Sequence, residues 1–450
     1  MIPQVVGLPP GLEHTLAGPE DRALAEVALR ARCFARGVLA PAALGIDRRV
    51  GDDPTYFPWE IVRAGAREGW LGAAAPRAWG GGGLGIAAVS VVMEEMSAAD
   101  SGAALIFGAH GLGMLPLMLS MDIGLAARVI GEHTRAERRG EPKLCAFAIT
   151  EPGGGSDVEE AEGLARFDAG ITRATHVRDG YVLRGRKLFI SNGNVAEHVV
   201  VFAALDARAP ASSWTAFVVR RGTPGLGSPR VESKMGQRAC PAAELVLEDV
   251  VVPRGMRVGA EGSGWELSRR TLAVSRGPVG AIAVGIGRGA FEVALEHVRA
   301  TGRAEAWVHD ALARMIVQLR TARAAYLEAA RHCDALLPAP AAREAVALLG
   351  RAPRSIVPPA GWLERRTDTA SARSGWAHQA VLGATAKIAG SDAAMAVTTV
   401  ALDLVPPGAG AARARVEKAF RDAKLTQIYE GTNQINLRAI AAESWARHPW

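Results

Sequence analysis

Cysteine is scarce in this chain, and Cys33, Cys145, Cys240 and Cys333 stand far apart, with no C-x-x-C pair and no histidine at ligand spacing. That distribution argues against both a disulfide framework and a metal site. There is no compact run of lysine and arginine and no basic stripe interleaved with aromatics. The net charge of +6 is carried almost entirely by arginine and is spread along the chain. A nucleic-acid footprint is therefore not expected, although a diffusely basic surface attracts anions of any kind. The N-terminus lacks a basic stretch followed by an apolar core, so no secretory signal is read there. Ser101 to Met121 imitates a membrane span, but its glycines, Pro116 and the upstream Glu94 and Glu95 fit a buried helix pair better. A soluble cytoplasmic protein, not a membrane protein, is the expectation.

What is abundant points the same way. Hydrophobic residues make up 49% of the 450 and aromatics only 5%, which suits a helix-rich globular chain of more than one domain. Residues 19 to about 142 have helical texture: Ala23–Leu39, Phe57–Leu71, Leu84–Met96 and Ser101–Met121. Gly80 to Gly83 reads as a loop, because no strand precedes it and no Lys-Ser/Thr follows. His110 reads as a buried or pocket-lining residue, with nothing nearby to suggest a partner. Near Lys143 the texture changes to short apolar runs, Leu144–Thr150, Tyr181–Arg184, His198–Leu205, Thr215–Val219 and Ala243–Leu247. Turn signals at Asp179-Gly180, Asn192-Gly193 and Pro224-Gly225 separate them, the pattern of an antiparallel sheet domain or barrel. Helical texture resumes at Gly262 and includes Trp265–Arg299, Trp307–Leu336, His378–Leu404 and Arg413–Tyr429. The expectation is an α+β chain with a helical domain over 1–143, a β domain over 144–258 and a helical domain over 259–450. Gly285-Ile286-Gly287-Arg288-Gly289 imitates a dinucleotide fingerprint but has no strand before it, so close helix packing is the expected role.

Four stretches carry chemistry. The last, Phe420 to Ile435, reads as a helix running into Tyr429, with Gly431 left-handed at its end and Thr432 capping the next helix. Glu430 is thereby a single carboxylate at a helix terminus. Cys145 to Asp157 is a strand entering a glycine-rich turn. Arg186 to Gly193 is a second strand entering a turn. Lys234 to Arg238, Glu248 to Pro253 and Gly262 to Trp265 close the strand region.

Together these stretches resemble the acyl-CoA dehydrogenase family, and with gaps the resemblance extends over most of the chain. It implies the three-domain acyl-CoA dehydrogenase fold, FAD as cofactor and α,β-dehydrogenation of an acyl thioester, as in fatty acid metabolism. Glu430, the glutamate of the family's "IYEGT", would be the base for the Cα proton. Phe147, Ile149 and Thr150 would lie along the flavin, and Gly155 would let backbone approach closely. Ser156 would sit between cofactor and substrate, Phe189 against the ring and Ser191 near flavin N5. Thr432 and Gln434 would contact FAD. Tyr429, Gly431 and Arg276 would face the substrate, Arg276 as a contact to the acyl-thioester arm. Arg299 would grip the FAD diphosphate of a neighbouring subunit, which implies a homo-oligomer, dimer or tetramer. An electron-transfer flavoprotein would take the electrons. The late helices of the first domain would wall the acyl pocket, and desolvation there would raise the pKa of Glu430.

The sequence departs from the family in three places. After Arg299 the usual phenylalanine is missing. Asp403 to Gly408 replaces a Gln-x-x-Gly-Gly segment. Ala273 stands where an aspartate usually reaches the coenzyme A arm. An extra segment, Leu337 to about Ser374, reads as a surface loop over the cofactor edge or a partner site. These departures motivate a second reading, an acyl group on an acyl- or peptidyl-carrier protein. A flavin monooxygenase or a non-catalytic relative is the more distant alternative, disfavoured by the presence of Glu430.

Overall fold

In the computed structural model, residues 19–160, 163–164, 171–350 and 369–447 are described. The prolines at 353, 358 and 359 of the extra segment lie outside them. The first third is helical: α1 (Pro19–Phe34), α2 (Ala40–Asp52), α3 (Trp59–Arg67), α4 (Ile86–Leu119) and α5 (Ile123–Arg138). A π turn, Ala35–Leu39, joins α1 to α2 just before Pro41, whose ring removes one amide donor from the helical ladder. The rod therefore continues past Leu39, where apolar spacing alone ends it. Likewise, the two helices expected over 84–121 are contiguous. They meet at Asp100, whose backbone is extended (φ −157°, ψ 106°). Its Oδ1 accepts the amides of Gly102 at 2.9 Å and Ala103 at 3.3 Å, restarting the helix as a cap would.

The middle third is one sheet: β1 (Cys145–Ala148), β2 (Arg173–Val177), β3 (Gly180–Ser191), β4 (His198–Ala204), β5 (Trp214–Arg220), β6 (Leu226–Gly227), β7 (Ala242–Pro253) and β8 (Arg257–Val258). The pairing path is β6-β7-β3-β2-β4-β5-β8, with β1 off it on β4. Most ladders are antiparallel, as expected. The β1–β4 ladder is parallel, and β2 meets β4 in parallel at Arg173↔Ala204. β4 reads HVVVFAA, buried throughout, because both its faces are covered. Val200, Phe202 and Ala204 join a cluster with Leu117 and Val129 of the helical third. Val199, Val201 and Ala203 instead pack on Leu183 and Phe217 within the sheet.

The last third comprises α6 (Gly264–Ala300), α7 (Ala306–Leu336), α8 (Pro340–Leu349), α9 (Ala370–Leu404), α10 (Ala411–Thr426) and α11 (Asn433–Arg447). Both α4 and α6 are long and apolar enough to cross a membrane, yet they pack on each other. A Cβ on Gly285 would lie 2.4 Å from the Glu94 carbonyl oxygen, and one on Gly289 2.2 Å from that of Ala98. The glycine pattern thus serves close helix packing. The same contact buries charge. Arg288 pairs with Glu94 at 3.0 Å and Glu95 at 2.8 Å, Arg32 pairs with Glu95 at 2.8 Å, and Arg323 and Tyr326 also reach Glu94. Buried charges are tolerated only when paired in this way.

The extra segment is more than a surface loop. Its helix α8 docks on the first third. The Glu344 carboxylate accepts the amides of Arg77 and Ala78, both at 2.8 Å, and Trp79 Nε1 donates to the Ala347 carbonyl at 2.8 Å. Just before it, Asp334 on α7 accepts the amides of Ile86 and Ala87, capping α4.

Candidate active site

β1 delivers the first wall of the site. Its even and odd residues face opposite ways, so Phe147 and Ile149 share a side. Both are nearly buried, and the Phe147 ring packs edge-on against Phe202 at 5.2 Å. Thr150, half-buried, lies two residues past the strand end. The chain then turns tightly, Glu151 and Gly154 exchanging two backbone hydrogen bonds of 3.1 Å, and presents Ser156. This turn is fixed from beneath by a fully buried ion pair. Lys187 Nζ on β3 donates to Glu151 at 2.6 Å and to the Ile149 carbonyl at 3.2 Å, while Glu151 also accepts the Thr172 amide. Burial pulls the Lys187 ammonium below its usual pKa, and Glu151 opposes the shift.

One residue further along β3 the register breaks between Lys187 and Ile190. Phe189 takes a left-handed backbone (φ 57°) and leaves its ring 58% exposed. A left-handed aromatic costs roughly 1–3 kcal/mol, so the surrounding ladder must hold it. Ser191 follows at the strand end, beside Asn192, whose Oδ1 accepts from the buried Cys240 thiol at 3.5 Å.

The opposite wall is the turn after α10. That helix ends at Thr426, three residues before Tyr429, which corrects the expected helix end. Not only Gly431 (φ 79°) but Glu430 itself (φ 55°) is left-handed. The turn is held through its carbonyls. Arg276 Nε donates to the Glu430 carbonyl at 3.2 Å, and Lys387 Nζ donates to that of Gly431 at 2.7 Å. Asn436 Nδ2 reaches the carbonyls of Glu430, Gly431 and Thr432 at 3.4, 2.9 and 2.9 Å. In a planar trans peptide the N–H points opposite to the C=O. The amides of Gly431 and Thr432 therefore face the other way, and the Thr432 amide donates to Ser156 Oγ at 3.1 Å. That bond joins the two walls. The Glu430 carboxylate receives Ser275 Oγ at 2.6 Å.

The remaining expected site residues fall as follows. Thr432 Oγ1 accepts the Ile435 amide at 3.3 Å and caps α11. Gln434 is exposed on the first turn of that helix. Tyr429 is half-buried, its hydroxyl accepting from Gln237 Nε2 at 3.2 Å, and burial pushes its pKa up. Arg276 is buried beneath the Glu430 carbonyl, a position that holds the turn. Arg299 is exposed at the far end of α6, 23 residues beyond Arg276. At 1.5 Å per residue that is roughly 35 Å, so within one chain it does not join this site. Near it, Arg303 Nη1 donates to the Leu404 carbonyl at 3.3 Å, so the two loops that depart from the family pattern are neighbours. Where Ala273 replaces the usual aspartate, its carbonyl is taken by Gln379 Nε2 at 3.1 Å, and Gln379 in turn meets His332.

Ser275, Lys387, Asn436 and the Lys187–Glu151 pair escape the sequence reading. Only Asn436 carries a recognisable signal, an amide in the first turn of a helix. His110, read as lacking a partner, has one: its Nδ1 accepts the Cys145 amide at 2.9 Å. The ligand atoms of His110, His133 and Cys145 lie within 4.8 Å of one another. His133 Nε2 already meets Cys145 Sγ at 3.2 Å and His198 Nδ1 at 3.0 Å, and burial lowers the His133 pKa to about 4.

The Ser156–Thr432 contact thus joins the Glu430 turn and its carboxylate to a β region that offers an exposed ring (Phe189) and hydroxyls at Thr150, Ser156 and Ser191. This suits a flat, mostly apolar cofactor ring with a polar edge, and no side chain here can itself accept a hydride. Fold and site together define a flavin-dependent dehydrogenase. The acyl-CoA dehydrogenase N-terminal, middle and C-terminal domain models match residues 20–121, 146–250, and 262–349 with 367–444. Cyclohex-1-ene-1-carbonyl-CoA dehydrogenase of Geobacter metallireducens is 34% identical over 403 residues, 88% of this chain and 91% of that protein. Butyryl-CoA dehydrogenase from Megasphaera elsdenii shares the fold with a TM-score of 0.71 and 28% identity, over 93% of this chain and 97% of that one. An acyl-CoA dehydrogenase from Bacillus anthracis complexed with FAD gives a TM-score of 0.76 at 23% identity, over 96% and 70% of the two chains. The chain belongs to the acyl-CoA dehydrogenase family. It is an oxidoreductase whose cofactor is FAD.

Proposed function

We propose that the enzyme converts a saturated acyl thioester to its 2-enoyl thioester, with Glu430 removing the Cα proton. Bound FAD supplies the acceptor for the Cβ hydride. The observation that carries this reading is the Glu430 turn: a carboxylate on a left-handed residue, its carbonyl held by Arg276 and Asn436. Such strain is kept where geometry matters to function. The chain's own residues then divide the work. Glu430 takes the proton, its backbone N–H would stabilise the charge developing on the thioester carbonyl, and Ser156 ties the turn to the β1 wall. The names of the relatives support a coenzyme A thioester as substrate. A carrier-bound acyl group remains a second reading, because Ala273 offers no side chain for the arm and Gln379 occupies its carbonyl. Turnover of one acyl group on coenzyme A and on a carrier protein separates the two.

The proposal extends to delivery of electrons to an electron-transfer flavoprotein in the cytoplasm and to a homo-oligomer in which Arg299 serves a neighbouring chain. The roughly 35 Å between Arg299 and Arg276 along α6 supports the latter. Anaerobic bleaching of the flavin by a panel of saturated acyl thioesters tests the chemistry. Glu430→Gln should stay yellow and fail to bleach; bleaching at the wild-type rate would put the base elsewhere.

A further inference from the structure

We infer that Ser275 is a positioning residue that follows the proton on Glu430, an inference that rests on Glu430 being the base. Ser275 Oγ lies 2.6 Å from Glu430 Oε2 and 3.2 Å from the Leu272 carbonyl. A serine hydroxyl has one proton and two lone pairs. With two acceptors in reach, that proton goes to the charged one, and 2.6 Å is the length of a charge-assisted O–H···O⁻ bond. When Glu430 has taken the Cα proton, the roles reverse. The carboxylic acid donates to Ser275 Oγ, and the serine proton turns to the Leu272 carbonyl. No proton is gained or lost by Ser275, so both states of the base keep a partner in the same place.

The adjacent Arg276 fixes the Glu430 carbonyl, so successive residues of α6 hold both ends of the catalytic residue. Among the described residues, the charged and titratable groups facing this turn include Lys387 on the Gly431 carbonyl and Tyr429 in the turn itself, with Asp392 of α9 one step further, on Asn433. From the β1 side Ser156 meets the turn. Ser275 is a side chain on α6 that donates directly to the Glu430 carboxylate.

A bond donated to the ionised form stabilises it, so its loss raises the base's pKa. The enzyme is active with Glu430 deprotonated, so activity is lost as pH falls through that pKa. Ser275→Ala should therefore move the acidic limb of the flavin-reduction rate upward by on the order of one pH unit. Below the limb the rate falls about tenfold against wild type, and above it much less. Ser275→Thr, which keeps the hydroxyl, should restore the wild-type limb. Flavin absorbance and thermal midpoint are followed alongside, since a merely structural role would move these and leave the limb in place. A limb in Ser275→Ala superimposable on wild type overturns the inference. Glu430→Gln run in parallel keeps the two readings apart: its full activity sinks the base assignment, while its inactivity with an unmoved Ser275→Ala limb sinks only the role of Ser275.

Discussion

Lys187→Met tests whether the cleft is built on the buried pair beneath it. Both partners are essentially inaccessible, at 0% and 2% side-chain exposure. The substitution keeps an unbranched stem out to the ε position and removes the ammonium. It leaves the Glu151 carboxylate with only the Thr172 amide and strips the Ile149 carbonyl of its side-chain donor. Removing one member of a buried pair costs about 3–5 kcal/mol, because the remaining charge is stranded. The stranded carboxylate is relieved by binding a proton that the unfolded chain would release. Stability of the variant should therefore fall further as pH rises, with a greater deficit at pH 8 than at pH 5. The pair as a whole is worth much less than either partner alone suggests. Adding Glu151→Gln to Lys187→Met should recover most of the loss. Urea unfolding followed by circular dichroism at the two pH values, for both singles and the double, gives the cycle. A Lys187→Met deficit below about 1 kcal/mol, or a double variant as unstable as the sum of the singles, would refute the argument.

Two further outcomes follow from packing and titration elsewhere. Gly285→Ala places a methyl 2.4 Å from a backbone oxygen of α4, which cannot rotate away, so a loss of about 1–3 kcal/mol is expected by urea unfolding. Glu137 accepts the amides of Leu71 and Gly72 at 2.9 Å, and burial raises its pKa to about 7. A carboxyl raised in the folded state makes stability fall as pH climbs from about 4.5 to about 7. Glu137→Gln should flatten that part of the thermal-midpoint profile.

The helix–sheet–helix order was legible in the sequence because the periodicities differ, 3.6 against 2, and turn residues mark the strands. The site motifs were legible because glycines and hydroxyl residues cluster just past or at the end of a strand, Thr150 and Ser156 after β1 and Ser191 at the end of β3. What could not be read was pairing across distance. Ser275 lies 155 residues from Glu430, and His110 lies 35 from Cys145. Neither separation leaves a local pattern. The parallel β1–β4 ladder is hidden for the same reason, since a four-residue apolar run looks alike in either sense of pairing. The glycine after it hides Glu430's own left-handed backbone, and the helix before the turn ends three residues earlier than its apolar spacing suggests.

The docking of α8 bears on the order in which the chain can be completed. Four backbone amides near residues 77–87 find their acceptors only in Glu344 and Asp334, between 247 and 267 residues later. A ribosome adding 5–20 residues per second takes roughly 12–50 s to bridge that gap. During synthesis this glycine-rich corner closes after the helices around it, and a nascent chain stopped before Asp334 carries it open.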